Sequence, residues 1–283
     1  MLNTLSFIRR HPLTRSQPLT AVARFAAWQV GSRLKKVHTH SWIAGSKLVV
    51  ENGMTGATGN IYWGLHEFAD MAFVLHLLRE GDLFLDIGAN VGSYTVLASA
   101  VCGARTLAFE PDPDTAARLA RNINANGIGA QVTVIEAALG AEDGEISFTA
   151  GLDTVNQVAA SSQAGRTRTV ALRCLDGVAG AADAVLMKLD VEGYEAQVLA
   201  GAEAVLAAPS LLAIETELDA PDVIGTLTKA GFARRFYDPL SRTLSDRPPE
   251  AGRASNALFI RNEAAVLARV TTAPRRRILN TMV

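Results

Sequence analysis

The run Leu83-Phe84-Leu85-Asp86-Ile87-Gly88-Ala89-Asn90-Val91-Gly92 constrains this chain more than any other stretch. Its leading apolar residues read as a parallel strand covered on both faces. A tight loop follows. Gly88 and Gly92 lack a Cβ and let the backbone approach a ligand closely, and Asn90 between them tolerates a left-handed conformation. Ser93-Tyr94-Thr95-Val96-Leu97-Ala98 then continues as a helix. Open α/β sheets bind nucleotides at such strand–loop–helix junctions, outside the carboxyl ends of the strands. The next strand, Thr106-Leu107-Ala108-Phe109, ends in Glu110-Pro111. An acid about 20 residues past the glycine loop is placed to accept hydrogen bonds from ribose hydroxyls.

The loop discriminates among nucleotides. The dinucleotide pattern Gly-x-Gly-x-x-Gly fails at Asn90 and Ser93, which weighs against an NAD-linked oxidoreductase, and the Lys-Ser/Thr pair of a phosphate-binding loop is absent. Asp86 opens the loop instead. A carboxylate there repels a pyrophosphate and suits a ligand that carries an ammonium or sulfonium group. The cofactor this points to is S-adenosylmethionine (SAM), with Asp86, Gly88, Ala89, Asn90, Gly92, Glu110 and Pro111 around it.

Three segments together, Asp86 to Gly92, Phe109-Glu110-Pro111, and Lys188-Leu189-Asp190-Val191-Glu192-Gly193-Tyr194-Glu195, resemble the FkbM family of SAM-dependent methyltransferases. The likeness spans about residues 50 to 262, and the third segment is its most specific part. It implies a doubly wound, seven-stranded, mostly parallel α/β sheet of the class I methyltransferase type, with the strand at 256–260 antiparallel. It also implies SAM dependence and favours O-methylation. The aromatic-to-acid segment Trp63, His66, Glu67 stands where the family borders its cofactor, which makes Glu67 a cofactor-site residue. The other reading of Glu67 is an acid favoured at a helix N-terminus. His66 and His76 read as packing or surface residues rather than bases.

The segment order is strand–helix alternation throughout. Asp112 or Asp114 can cap a helix ending at Gly127, and Val132-Thr133-Val134-Ile135 is the third strand. An acid or polar group after that strand meets the adenine in many SAM enzymes. Here either Glu136 bonds the exocyclic amine or the backbone at Ala137 and Ala138 does so. Ile146-Ser147-Phe148 and Arg168 to Cys174 read as an antiparallel pair, joined by a polar segment, Gly151 to Thr167, that can be a substrate-side flap or a surface loop. Strands at 184–190, 211–217, 234–237 and 256–260 complete the sheet.

Three acids at the carboxyl ends of these strands, Asp190, Glu192 and Glu215, are the candidate catalytic residues. A hydroxyl acceptor must lose its proton during methyl transfer, and crowded carboxylates raise at least one pKa. They could equally hold a divalent cation that orients a diol, or cap the next helix. Lys188 can pair with one of them. Cys102 and Cys174 read as buried free thiols, compatible with a reducing, cytoplasmic setting, and have no metal-site spacing.

Residues 1–50 hold eight Lys or Arg and no Asp or Glu, whereas the rest of the chain holds all 28 acids. Leu19, Val22, Ala23, Phe25, Ala26, Val30 and Leu34 predict an amphipathic helix. This basic arm, residues 1–46, can contact a membrane surface or an acidic partner, or serve as a lid or dimerisation helix in a homo-oligomer. Residues 47–262 form the SAM-dependent domain and 263–283 a C-terminal tail with a basic run, Arg275-Arg276-Arg277. No apolar run approaches the length of a transmembrane helix. A net charge of −1 and an acidic core weigh against a nucleic-acid substrate. The expected partner is a hydroxyl on a small molecule, sugar or glycolipid; a non-catalytic SAM-binding or scaffold protein is the alternative.

Overall fold

The computed structural model describes residues 7–51, 54–149, 167–217, 220–248 and 256–283. Of the expected flap segment, 151–167, all but Thr167 lies outside the described residues. A basic helix, Pro18–Leu34, leads into a hairpin of β1 (Val37–Ser41) and β2 (Lys47–Glu51). The expected boundary at 46/47 falls in the turn of this hairpin. Asn122 and Asn126, on the helix Pro113–Asn126, clamp β2 through the backbone of Val49 and Lys47.

The central sheet is built from β3 (Leu83–Ile87), β4 (Arg105–Phe109) and β5 (Val132–Ile135), while β6 (Ala138–Gly140), β7 (Gly144–Thr149) and β8 (Thr167–Cys174) make a separate small sheet. The central sheet resumes with β9 (Ala184–Leu189), β10 (Ala213–Thr216), β11 (Ala233–Asp238), β12 (Thr243–Ser245) and β13 (Ala257–Ile260). Its order is β12-β11-β13-β10-β9-β3-β4-β5. Strands β5, β4, β3, β9 and β10 pair in parallel, and β13 is antiparallel to both β10 and β11. The fold is therefore α/β with one large mixed sheet. Among the described residues this sheet has eight strands, against the seven expected. The extra strand, β12, is three residues long and pairs with β11 across a turn tied by Asp238, which accepts from the Leu240 N–H and the Ser241 hydroxyl.

Both faces of the sheet are covered, as the apolar runs of β3 and β9 require. Phe84, Leu186 and Ala213 pack under the helices Phe68–Leu77 and Glu263–Thr272. Leu85, Met187 and Ile214 pack under Leu199, Val205 and Leu227 on the other side. The expected tail contributes Val266, Val270, Ile278 and Val283 to the first of these cores. Asp112 caps the helix Pro113–Asn126 by accepting from the Thr115 N–H, and Gly127 closes it in a left-handed conformation.

The arm helix departs from its expected packing. It meets the body through Ala21, Trp28 and Ser32, with Phe25 edge-on to Tyr62 at 5.1 Å. Leu19, Ala23, Ala26, Val30 and Leu34 face outward instead. The helix has two apolar stripes, and the bulk of Trp28 against Leu48, Val50 and Ile61 decides which one is buried.

Candidate active site

The carboxyl ends of β3, β4 and β9 and the start of β6 surround a cavity of about 310 Å³. The loop after β3 forms its floor. Gly88 has φ +78°, and a Cβ there would overlap the Asp190 carbonyl oxygen, so only glycine lets the β3 and β9 loops meet. Asn90 is left-handed at φ +51°, the tolerance for which it was singled out. Glu110 ties the first two strand ends together. One of its oxygens accepts the Asn90 N–H at 2.9 Å and the other the Asp112 N–H at 2.9 Å. Burial pushes its carboxyl up to about 7, against the pull of those two N–H groups.

A buried row of ionisable side chains crosses the sheet at the floor. Asp86 on β3, Lys188 on β9 and Glu215 on β10 are register partners across three adjacent parallel strands. Strand alternation puts them on one face, in line with Phe84, Leu186 and Ala213. Lys188 binds Asp190 at 2.5 Å and lies over the Tyr94 ring, 4.6 Å from its centroid. Burial opposes its charge, but Asp190, Glu67 and Asp86 outweigh that and hold the ammonium above its usual pKa. Asp86 accepts the Thr95 hydroxyl at 2.6 Å, and burial raises its carboxyl against the attraction of Lys188. Glu67 accepts the Tyr94 hydroxyl at 2.7 Å.

At the cavity wall, Asp190, Glu192 and Glu217 bring one carboxylate oxygen each within 4.8 Å of one another. Burial would raise Asp190, but Lys188 overrides it and keeps the pKa low. Glu217 moves the other way. Desolvation, then the charge of Asp190 and a hydrogen bond to it, push its carboxyl up to about 8. Burial, then Asp190, also raises Glu192, whose backbone is left-handed at φ +52°.

Of the expected site residues, Glu67, Asp86, Gly88, Ala89, Asn90, Glu110, Pro111, Ala137, Asp190 and Glu192 line the cavity. Three do not. Gly92 precedes the helix Ser93–Val96, its α-carbon facing Leu119. Glu136 is exposed, while Ala137 and Ala138 are on the wall, which favours the backbone alternative at this position. Glu215 is buried in the sheet, and among the described residues neither of its oxygens has a hydrogen-bond partner. Burial, then nearby Asp70, raises its carboxyl well above the usual range, and the side chain lies within the sheet beneath the cavity rather than on its wall. Tyr94, Phe148 and Glu217 are wall residues that sequence reasoning did not select, and Lys188, expected to pair with one of the acids, pairs with Asp190 on the same wall. Glu217 carried a signal: it is the first acid past the end of β10, at the same sheet edge as Asp190.

These residues fit SAM. Asp86 offers a carboxylate to a cationic group. Each Glu110 oxygen keeps a lone pair free for ribose hydroxyls after its one N–H bond. Ala137, Ala138, Leu139 and Phe148 supply a small, apolar wall for a flat base.

Comparison with known proteins agrees in kind. The family model described as Methyltransferase FkbM domain matches residues 86–233. Hexuronic acid methyltransferase AglP of Haloferax volcanii is 28% identical over 177 residues, 59% of this chain and 72% of that protein. Similar solved structures include a precorrin-6y C5,15-methyltransferase of Geobacter metallireducens, at TM-score 0.38 and 14% identity over 69% of this chain and 86% of that one. Another is M. jannaschii TYW2 in complex with AdoMet, at TM-score 0.42 and 12% identity over 81% of this chain and 88% of that one. The family match covers more than half of the sequence and includes the glycine loop, Glu110 and the Asp190 segment: the chain belongs to the FkbM methyltransferase domain family and is a SAM-dependent methyltransferase.

Proposed function

We propose that the acceptor is a hydroxyl of a sugar or sugar-like molecule, and that the carboxylates Asp190, Glu192 and Glu217 receive it. The observation that carries this reading is their clustering at the cavity wall, beside the loop that fits SAM. The likeness to a hexuronic acid methyltransferase supports the sugar class. When bound, SAM supplies an electrophilic methyl and departs as a neutral thioether, so the protein's work is positioning and proton removal.

Asp190, held ionised by Lys188, accepts a hydrogen bond from the acceptor and orients it. Glu217 takes the proton. Below pH about 8 it already holds a proton shared with Asp190, and above that it is a free base. Turnover of the wild type therefore rises with pH through about 8 and then levels. Glu217→Gln is expected to lower kcat about a hundredfold or more, to flatten that rise, and to leave SAM affinity unchanged. Transfer of labelled methyl from SAM to a panel of monosaccharides and uronic acids, followed across pH, reads all three. Failure of every sugar with success on a non-sugar hydroxyl would refute the acceptor class, and an unchanged pH profile in Glu217→Gln would remove the base.

The same three carboxylates are a donor set for a hard divalent cation, which would orient a diol. Chelation separates the readings. Activity indifferent to EDTA supports proton removal alone, and loss restored by Mg²⁺ supports the cation.

A further inference from the structure

The outward stripe of the arm helix has no role in the site described above. Leu19, Ala23, Ala26, Val30 and Leu34 recur every three or four residues, so they share one face of a helix about 25 Å long. That face lies opposite Ala21, Trp28 and Ser32, which fasten the helix to the body. Leu19 is 83% exposed, Val30 63% and Leu34 81%, and Val37 just beyond is 45% exposed. A row of large apolar side chains left in water on a helix already docked by its other face marks a surface made for contact.

The charge around the stripe identifies the contact. Arg15 precedes the helix, and Arg33, Lys35 and Lys36 stand at its end, all exposed. Exposed Arg275 and Arg277 belong to the C-terminal hairpin segment, where the Asn280 side chain bonds Gln17 at the start of the helix. Residues 1–50 contain no acid to neutralise these groups. Two copies pressed together by this face would bring arms of like charge together with no carboxylate in either arm to offset them.

We infer that the arm helix is a membrane-surface anchor. It lies flat on an anionic lipid surface, with Leu19, Val30 and Leu34 in the acyl boundary and the basic residues at its ends on the headgroups. Each Lys or Arg near such a surface contributes on the order of fivefold in partitioning, and salt screens the effect. The anchoring is independent of the acceptor proposed above, because the stripe lies outside the cavity.

Co-sedimentation of the full chain with vesicles of phosphatidylcholine, and of phosphatidylcholine mixed with phosphatidylglycerol, tests the inference. The wild type is expected to bind the anionic vesicles at least about tenfold more strongly, and to be released by salt. The variant Leu19→Glu/Val30→Glu/Leu34→Glu should lose that binding while keeping its melting temperature and SAM affinity. Arg33→Glu/Lys35→Glu/Lys36→Glu should weaken it by more than about tenfold. Equal binding to both vesicle types, no binding to either, or unchanged binding by the leucine and valine variant would overturn the inference. So would a wild-type dimer that this variant dissociates while neither protein binds vesicles, since a second copy would then be the occupant.

Discussion

Gly88→Ala is expected to cost about 3 kcal/mol or more of stability and to lower SAM affinity by at least about a hundredfold. Two independent strains coincide at this position. A backbone at φ +78° is costly for any residue with a Cβ, and the added methyl would overlap the Asp190 carbonyl oxygen. Relief requires the β3 and β9 loops to separate. That opens the cavity floor and moves Asp190 away from its partners. Thermal melting and calorimetric titration with SAM read the two effects. Gly127→Ala is the control: the same left-handed conformation, φ +67°, with open space around the missing Cβ. It should cost only about 1–2 kcal/mol and leave SAM affinity alone. A Gly88→Ala protein that binds SAM with wild-type affinity would show that loop contact is irrelevant to the site.

Lys188→Met is the second large effect, expected at about 3–5 kcal/mol near neutral pH. The substitution keeps the length of the side chain but removes the cation from over the Tyr94 ring and from among Asp86, Asp190 and Glu67. Carboxylates left without it gain protons more readily in the folded state. Lys188 holds the Asp190 pKa low, so its contribution is present above the usual carboxylate range and is lost as pH falls through it. In the variant the sign reverses: raised folded-state pKa values favour the protonated protein, and stability drops as pH rises. The difference between wild type and variant should therefore be largest at neutral pH and shrink in acid. Denaturant unfolding at a series of pH values measures it. A pH-independent difference would point to lost packing alone. Glu215→Gln, at the other end of the same row, is expected to cost little, because burial and Asp70 disfavour a charge there and Gln keeps the side chain's shape.

Much of the candidate site's geometry was legible because its main determinants are local. Gly88, Asn90 and Glu110 stand at fixed distances from one strand end, and backbone conformation follows from residue type there. Strands β3, β9 and β10 announced themselves through apolar runs that only a sheet covered on both faces explains. What failed was decided by partners distant in sequence. Glu215 and Glu217 are one alternation apart and chemically alike; only the point where β10 ends puts the first beneath the sheet edge and the second on the wall. Gly92 reads like Gly88, but Leu119 from another helix occupies the space beside it. In the arm helix either stripe satisfies the helical period, and Trp28 against β2 breaks the tie. Strands β6 and β12, three residues each, are too short to show a period and exist because β8 and β11 offer them an edge.

The most direct test is calorimetric titration of SAM into the wild type and into Glu110→Gln and Glu110→Ala, at a pH above the Glu110 value of about 7. The wild type is expected to show one saturable site. Glu110→Gln, which keeps one acceptor oxygen, should bind more weakly. Glu110→Ala, which also frees the Asn90 and Asp112 N–H groups, should bind at least about tenfold more weakly still. Equal affinity in all three, in proteins with wild-type melting curves, would contradict the placement of the cofactor against Glu110 and with it the site described here.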